Sequence, residues 1–369
     1  MRSLKAFKAV SHRLSCALFG MTLAVAPAAA DQIEGARFTA LSTALTDQVV
    51  VPAYENLLRE TAALTASLDA YCAAPSDNNV DAVQEHFHLT MDAWQRAQPI
   101  QFGPIIDAPG PARFQFWPDK RGTGQRQLRQ VLTTQDQSVL AEETLGTKSV
   151  ALTDLQALEY ILFERPDTIT DDDFKCRYAL AIADHQQQLA KDLLHAWSDT
   201  GGYREQVLNA AEGTDAFFDE REAAGAFLNS MAGTIDMVRL QKLDRPMGLT
   251  ITGARPKRTE SWRSARSLRN IRLNLETVQR FVTVGNGFGN LLTATGKDET
   301  AKATNDLLSD ILSDINAFNQ PLFTLVGDVE ARAALESLLS KLRSLQSMVR
   351  EQIAQDLTLV PGFNATDGD

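Results

Sequence analysis

One segment carries histidine and carboxylate side chains at a spacing that metal sites use. Glu85 and His88 form a Glu-x-x-His pair, by which helices of di-iron bundles present two ligands, and Asp92 lies one turn beyond. A di-iron centre needs a second such pair and two further glutamates. Neither His185 nor His195 belongs to another Glu-x-x-His pair. We therefore interpret His88 as a core or surface histidine in preference to a metal ligand.

Gln156 and Glu159 form a second polar pair, at positions i and i+3 of an otherwise apolar segment. A carboxylate among leucine and isoleucine side chains is costly to bury unless it has a partner. Two interpretations stay open. Glu159 lies in a ligand-binding cleft, where it is the candidate metal ligand, or it forms a structural ion pair with Arg113 or Arg121.

Residues 113–121 combine aromatic and basic side chains in a chain that is otherwise acidic. The members of this cluster are Phe114, Phe116, Trp117, Arg113, Lys120 and Arg121. Arginine can grip a carboxylate or phosphate with two hydrogen bonds. The cluster could therefore capture an anion or another ligand in a cleft. Alternatively it packs between helices and neutralises Glu159 and Glu260, which is the interpretation we favour.

Apolar side chains at helical spacing run along the chain after residue 33, and no convincing pair of strands occurs. Helices are predicted over residues 33–73, 80–98, 125–132, 152–163, 172–198, 215–243, 260–284, 299–319 and 329–357. Pro52 is expected to kink or restart the first of them. We predict an all-α fold of two antiparallel helical bundles, 31–200 and 201–369, that together form one domain.

Two long irregular connectors, residues 102–124 and 245–258, interrupt the predicted helices. Both are rich in glycine and proline, and the first is long enough to have a function of its own. Trp94 and Trp262 lie in predicted helices with apolar neighbours, so both are interpreted as core anchors.

The first thirty residues have the features of a cleaved signal peptide. Three basic residues at positions 5, 8 and 13 precede an apolar run over residues 16–26, and alanines at 28–30 follow it. The run is shorter than the roughly 20 residues that span a bilayer. We expect a periplasmic protein whose mature chain has no integral membrane segment.

The cysteines predict a disulfide, and the net charge limits the classes of binding partner. Cys72 and Cys176 lie outside the predicted signal, and an isolated pair in an oxidising compartment usually forms a disulfide. Two free thiols are the less favoured alternative. The formal net charge of −11 disfavours nucleic acid and anionic membrane surfaces as partners, because both attract basic patches.

Four strings together resemble the imelysin-like family, also called the M75 peptidase family. They are WQRAQ at 94–98 running into FGPI at 102–105, FWPDKR at 116–121, LQALEYILF at 155–163, and RPK at 255–257 followed by ESWRS at 260–264. The resemblance covers essentially the whole chain after the signal, and the order and spacing of the four strings make it specific. The resemblance implies paired helical bundles with a cleft, an envelope location and an association with iron supply.

The family's peptidase label rests on a Gly-x-His-x-x-Glu motif proposed to hold a metal, and the chain departs from it. Aligned on Glu159, the glycine falls on Asp154 and the histidine on Gln156. An amide oxygen is a poor ligand for zinc, copper or iron compared with imidazole. A metal ion, iron or calcium, remains the candidate cofactor, although calcium needs several more oxygen ligands.

The functional expectation is a non-catalytic iron-handling protein of the envelope that binds a cation, a chelate or a partner in its cleft. Iron-uptake components of the envelope are the expected partners. The alternative is a metal-dependent peptidase, which needs three protein ligands and an open position on its metal. The candidate cleft residues are Gln156, Glu159, Arg113, Trp117, Asp119, Arg121, Glu260 and Arg263.

Overall fold

A computed structural model describes residues 33–74, 77–107, 109–164 and 173–359. The signal-like segment of residues 1–30 lies outside these ranges. Within the described residues the regular structure is helical, with no strand, and the all-α prediction is confirmed. No helix in these ranges is both long and apolar enough to span a bilayer.

Within the described ranges the helices vary widely in length, and three π-helical segments join some of them. The first eight are α1 (Gly35–Leu45), α2 (Val51–Ala73), α3 (Asp77–Ala97), α4 (Thr123–Thr134), α5 (Glu142–Leu145), α6 (Leu155–Phe163), α7 (Asp173–Ser198) and α8 (Tyr203–Leu208). Next come α9 (Glu220–Asp236), α10 (Arg245–Met247), α11 (Ser267–Thr283), α12 (Phe288–Ala294), α13 (Asp298–Ala317), α14 (Leu322–Leu325), α15 (Arg332–Ser347) and α16 (Ala354–Asp356). The π-helical segments are Thr46–Val50, Met237–Asp244 and Met348–Ile353.

The long helices pack directly on one another around a continuous core. α2 lies against α3 and α7, α3 also contacts α11, and α13 packs against α11 and α15. α1 packs against α9, so helices on both sides of residue 200 share contacts. Buried apolar side chains run through all of these interfaces. The residues from Ile33 onward form one compact unit, and a bundle boundary near residue 200 stays a prediction.

The kink or restart expected at Pro52 is a π-helical segment that directly precedes α2. The chain is π-helical over Thr46–Val50, and α2 begins at Val51 with Pro52 in its first turn. Proline has no N–H to donate to the carbonyl four residues earlier, which is that of Gln48. The guanidinium of Arg280, on α11, donates to this carbonyl instead. An acceptor that proline leaves free therefore joins the first helices to α11.

A disulfide joins Cys72, near the end of α2, to Cys176, near the start of α7. The two Cα atoms are 5.7 Å apart, within the usual range of about 4.4–6.8 Å. The predicted pairing is confirmed.

The helix predicted from residue 260 begins only at Ser267. Residues 259–266 form a turn, called the 259–266 turn below, in which Ser261 and Ala265 have positive φ of 46° and 56°. A right-handed helix cannot run through residues in this conformation. The prediction was wrong because the buried Glu260 serves a polar network that helical periodicity does not reveal.

Candidate ligand-binding site

A cavity of about 630 Å³ opens between the first connector, α4, α6 and the 259–266 turn. Four of the eight sequence-predicted cleft residues line it: Trp117, Asp119, Gln156 and Arg263. The other four, Arg113, Arg121, Glu159 and Glu260, are not part of the lining. The structure therefore brings the two connectors together at a shared cavity but places only half of the predicted residues in its lining.

Two aspartates fix the connector wall of this cavity. Asp154 caps α6, where its Oδ1 accepts from the N–H of Ala157 at 2.9 Å, and its Oδ2 accepts from the N–H of Phe116 at 2.5 Å. Asp119 accepts from the N–H groups of Thr123 and Gln125 at 2.9 and 3.2 Å, at the start of α4. Burial raises the pKa of Asp154 to about 7, against the four backbone N–H contacts that lower it. Both carboxylates are thus committed to backbone donors.

Arg113 and Arg121 do not reach Glu159, so neither is the ion-pair partner considered for it. Arg113 donates through Nη2 to the carbonyl oxygens of Pro104 and Ile105, at 2.8 and 3.2 Å, and so holds the connector to itself. Arg121 is exposed, and its carbonyl accepts from Arg126.

Glu159 holds the 259–266 turn in place through hydrogen bonds. Its side chain is only 1% exposed, and its Oε1 accepts from the N–H and hydroxyl of Ser264 at 2.9 and 2.7 Å. Its Oε2 is buried with no hydrogen-bond partner. Burial raises the pKa of Glu159, and the Ser264 donors and the more distant Arg263 and Arg266 oppose the rise. Glu159 acts on the cavity through the turn that carries Arg263.

Glu260 anchors the same turn from the other side through a buried ion pair. Its Oε2 lies 2.8 Å from Nζ of Lys242, and both side chains are 1% exposed. Lys242 also donates to Gln95, Gln98 and Asn274 at 2.6–2.9 Å. Burial lowers the pKa of Lys242, and Glu260 opposes that shift. This network joins α3, the Met237–Asp244 segment and α11 behind the cavity.

Arg263 is the most constrained cation of the cavity lining. Its guanidinium carbon lies 4.9 Å from the ring centroid of Tyr160 and 4.4 Å from that of Trp262. Its Nε donates to Oε2 of Glu164 at 2.5 Å. Trp262 in turn stacks on Phe323, with centroids 5.4 Å apart. Trp262 therefore lines the cavity instead of anchoring the core, unlike Trp94, which is buried.

Positive charge predominates around the cavity. Beside Arg263 the lining holds Lys120, Arg129, Arg245, Lys257 and Arg258. In the described part of the chain none of these five forms a salt bridge with a carboxylate. The three acidic lining residues are Asp154, Asp119 and Glu164, and all three already accept hydrogen bonds from the protein. The cavity is thus basic in a chain of net charge −11.

The Glu-x-x-His segment on α3 contacts arginine side chains of another segment. Nδ1 of His88 lies 2.9 Å from Nη1 of Arg266, and Asp92 forms ion pairs with Arg266 and Arg269. Burial, with these two arginines, lowers the pKa of His88 to about 4. Arg266 and Arg269 are thus the partners of His88 and Asp92, which agrees with the interpretation of His88 as a structural histidine.

Comparisons with known proteins decide the family. The model of the family described as imelysin, Peptidase_M75, matches residues 50–349. The chain belongs to the imelysin family. An iron-regulated protein A from Synechococcus elongatus is 24% identical to this chain over 233 residues. The match covers 62% of this chain and 59% of that relative.

Two crystal structures resemble the fold of this chain. An imelysin-like protein from Psychrobacter arcticus 273-4 has a TM-score of 0.76 at 17% identity, covering 90% of this chain and 99% of that one. A candidate iron-regulated protein A precursor from Parabacteroides distasonis has a TM-score of 0.74 at 17% identity, covering 87% and 96%. At this identity the likeness shows the shared fold.

The side chains at the family's motif positions do not fit a directly bound metal ion. The positions of the family motif are occupied by Asp154, Gln156 and Glu159, and each is bonded within the protein; Gln156 donates to Oγ of Ser261 at 3.4 Å. Within the described ranges no three His, Cys, Asp or Glu side chains are grouped to hold a metal. Iron prefers imidazole or several carboxylates, and calcium takes six to eight oxygens. The cavity wall presents cationic side chains instead of metal ligands.

Sequence reasoning missed several residues that shape this site. Arg245, Arg258 and Gln241 line the cavity without having been singled out. Asp154 was noted only where it replaces the motif glycine. Its position directly before an apolar helical run is a helix-cap signal that could have identified it. The Lys242 partner of Glu260 has no local signal, because the two residues lie in separate segments.

Proposed function

We propose that this protein is a non-catalytic periplasmic binding protein of iron handling, and that its cavity takes up an iron chelate. The names of two similar proteins, the iron-regulated protein A of Synechococcus elongatus and the candidate iron-regulated protein A precursor of Parabacteroides distasonis, support the link to iron. The signal-like first thirty residues support the location. The expected partners are envelope components that deliver or receive the chelate.

The charge of the cavity is the observation that carries this proposal. Six cationic side chains line it, and the carboxylates among them are already bonded to the protein. Such a wall repels a bare cation and attracts an anion. Ferric complexes of oligocarboxylates carry negative charge and bring their own metal ligands. A chelate of this class therefore matches both the basic wall and the absence of a metal-ligand cluster in the described residues.

The peptidase alternative has less support from the residues at the motif. A catalytic zinc needs three protein ligands and one open position. Gln156 replaces the motif histidine, and Glu159 lies beneath the 259–266 turn, outside the cavity lining.

Titration calorimetry on the purified chain lacking residues 1–30 tests the proposal. We expect saturable binding of ferric citrate and no binding of calcium or zinc ions at the same concentrations. A peptide substrate with added zinc serves as the parallel assay for hydrolysis. Saturable binding of a bare cation without binding of the chelate, or zinc-dependent cleavage of the peptide, would contradict the proposal.

A further inference from the structure

The guanidinium of Arg263 is held in one orientation by three neighbours. Tyr160 and Trp262 lie on it at 4.9 and 4.4 Å, and Glu164 accepts from its Nε. The side chain is only 11% exposed. A stacked and hydrogen-bonded arginine has lost most of its rotamer freedom before any ligand arrives, so less entropy is lost on binding.

The terminal nitrogens of Arg263 have no partner among the described residues. The protein contacts of this side chain are the Nε bond to Glu164 and the two aromatic rings, which leaves Nη1 and Nη2 as unused donors. Arg263 lines the cavity, so these two donors are available to a group bound there. The outer edge of a guanidinium matches the two oxygens of a carboxylate or phosphate.

We propose that Arg263 is the anchor of the cavity and grips an oxyanion group of the ligand end-on, through Nη1 and Nη2. This inference rests on the proposed function and makes it more specific: the site recognises the chelator, through its carboxylate or phosphate oxygens, and the bound metal is carried along. Lys257, with Nζ 5.3 Å from the Trp262 ring centroid, adds a second positive charge on the same wall. Metal-free chelator therefore binds as well.

Glu164 is a positioning residue for this anchor. Its carboxylate occupies the Nε edge of the guanidinium and leaves only the terminal edge for the ligand. Replacing Arg263 by lysine keeps the positive charge but removes the fork and the planar stacking. The Arg263→Lys variant thus separates bidentate recognition from simple charge attraction.

The experiment measures binding of ferric citrate, metal-free citrate and pyrophosphate to the wild type, Arg263→Lys and Arg221→Lys. Arg221 is the matched control, because it lies 4.7 Å from the Phe38 ring centroid, donates to Thr358 and is not part of the cavity lining. We expect metal-free citrate or pyrophosphate to bind the wild type saturably in the absence of iron. Arg263→Lys should lower the affinity about tenfold or more, and Arg221→Lys should leave it unchanged. If only one of the two metal-free anions binds less tightly to Arg263→Lys, that anion identifies the oxyanion as carboxylate or phosphate.

Other outcomes separate this inference from the proposed function. If ferric citrate binds but the metal-free anions do not, or if Arg263→Lys binds like the wild type, the anchor is wrong and the proposed function stands. If the metal-free anions bind through Arg263 but no ferric complex does, the anchor stands and the iron assignment is wrong. Should Arg263→Lys fail to fold, direct binding of metal-free anion to the wild type still tests the inference, since an absence of binding overturns it.

Discussion

Oε2 of Glu260 lies 2.8 Å from Nζ of Lys242, with both side chains almost completely removed from solvent. The same ammonium group also donates hydrogen bonds to the side-chain oxygens of Gln95, Gln98 and Asn274. Charges buried this deeply are tolerated only when they are paired and hydrogen-bonded. The pair fixes the 259–266 turn, and through it the position of Arg263, to the centre of the helical core.

Breaking this pair should destabilise the protein strongly. Replacing Lys242 with methionine leaves a buried carboxylate without its cation, so we expect the free energy of unfolding to fall by about 3 kcal/mol or more. Lys302→Met is the control, because Lys302 pairs with Asp306 on the exposed surface of α13, and exposed ion pairs contribute little to stability. Urea denaturation compares the two; equal effects would contradict the structural importance of the buried pair.

Glu159→Gln should be tolerated better than Glu159→Ala. Glutamine keeps an acceptor for the two donors of Ser264 and replaces a carboxylate whose pKa burial raises, so the stability should change by less than about 1 kcal/mol. Alanine leaves both donors unpaired above a void and should cost about 2 kcal/mol or more. Thermal melts of both variants at pH 7 provide the measurement. A Gln variant that is as unstable as the Ala variant would show that the negative charge itself is required.

The contribution of Asp154 to the free energy of unfolding should fall as the pH rises. Its pKa is raised to about 7 from an ordinary value of 3.8, so the folded protein holds a proton that the unfolded chain loses. The stabilisation is complete below pH 3.8 and is lost as the pH rises towards 7, with a slope of at most about 1.4 kcal/mol per pH unit.

The difference in stability between the wild type and Asp154→Asn isolates this group, because His88 and the other titrating groups are common to both. Urea denaturation from pH 4.5 to 7.5 should show the difference shrinking as the pH rises. A difference that is constant, or that grows with pH, would mean that Asp154 is ionised throughout and that its N–H donors outweigh its burial.

Removing the disulfide should lower stability without changing the fold. Cys72 and Cys176 are separated by 104 residues, for which the chain-entropy model gives about 4–5 kcal/mol. The double variant Cys72→Ser/Cys176→Ser should therefore unfold at lower urea concentration than the oxidised wild type, with an unchanged far-ultraviolet spectrum. The wild type with its disulfide reduced is the matched control. Identical midpoints for the oxidised and reduced wild type would contradict this expectation.

The fold and the disulfide could be predicted from the sequence because their signals are local or limited to one possible pair. Helical spacing persists through most segments, and Cys72 and Cys176 had only each other as partners outside the predicted signal. The start of α11 could not be placed, because Ser261 and Ala265 adopt positive φ in a turn whose stabilising contacts come from α6 and Lys242.

The candidate site was predictable at the level of segments. The two connectors do meet at a cavity, and Trp117, Asp119, Gln156 and Arg263 line it. The partner of Glu159 was not predictable, since Ser264 reaches it across 105 positions of the chain. Arginine looked the more suitable partner for a buried carboxylate, yet Arg113 is bonded to carbonyl oxygens of its own connector.

The location of iron in crystals grown with ferric citrate tests the central claim most directly. Anomalous scattering at the iron edge should give a peak inside the cavity beside Arg263, with citrate oxygens as ligands and no protein oxygen within about 2.6 Å of the metal. A peak coordinated directly by Glu159, Asp154 or carboxylates elsewhere in the protein would contradict the account, as would a cavity without iron at saturating ferric citrate.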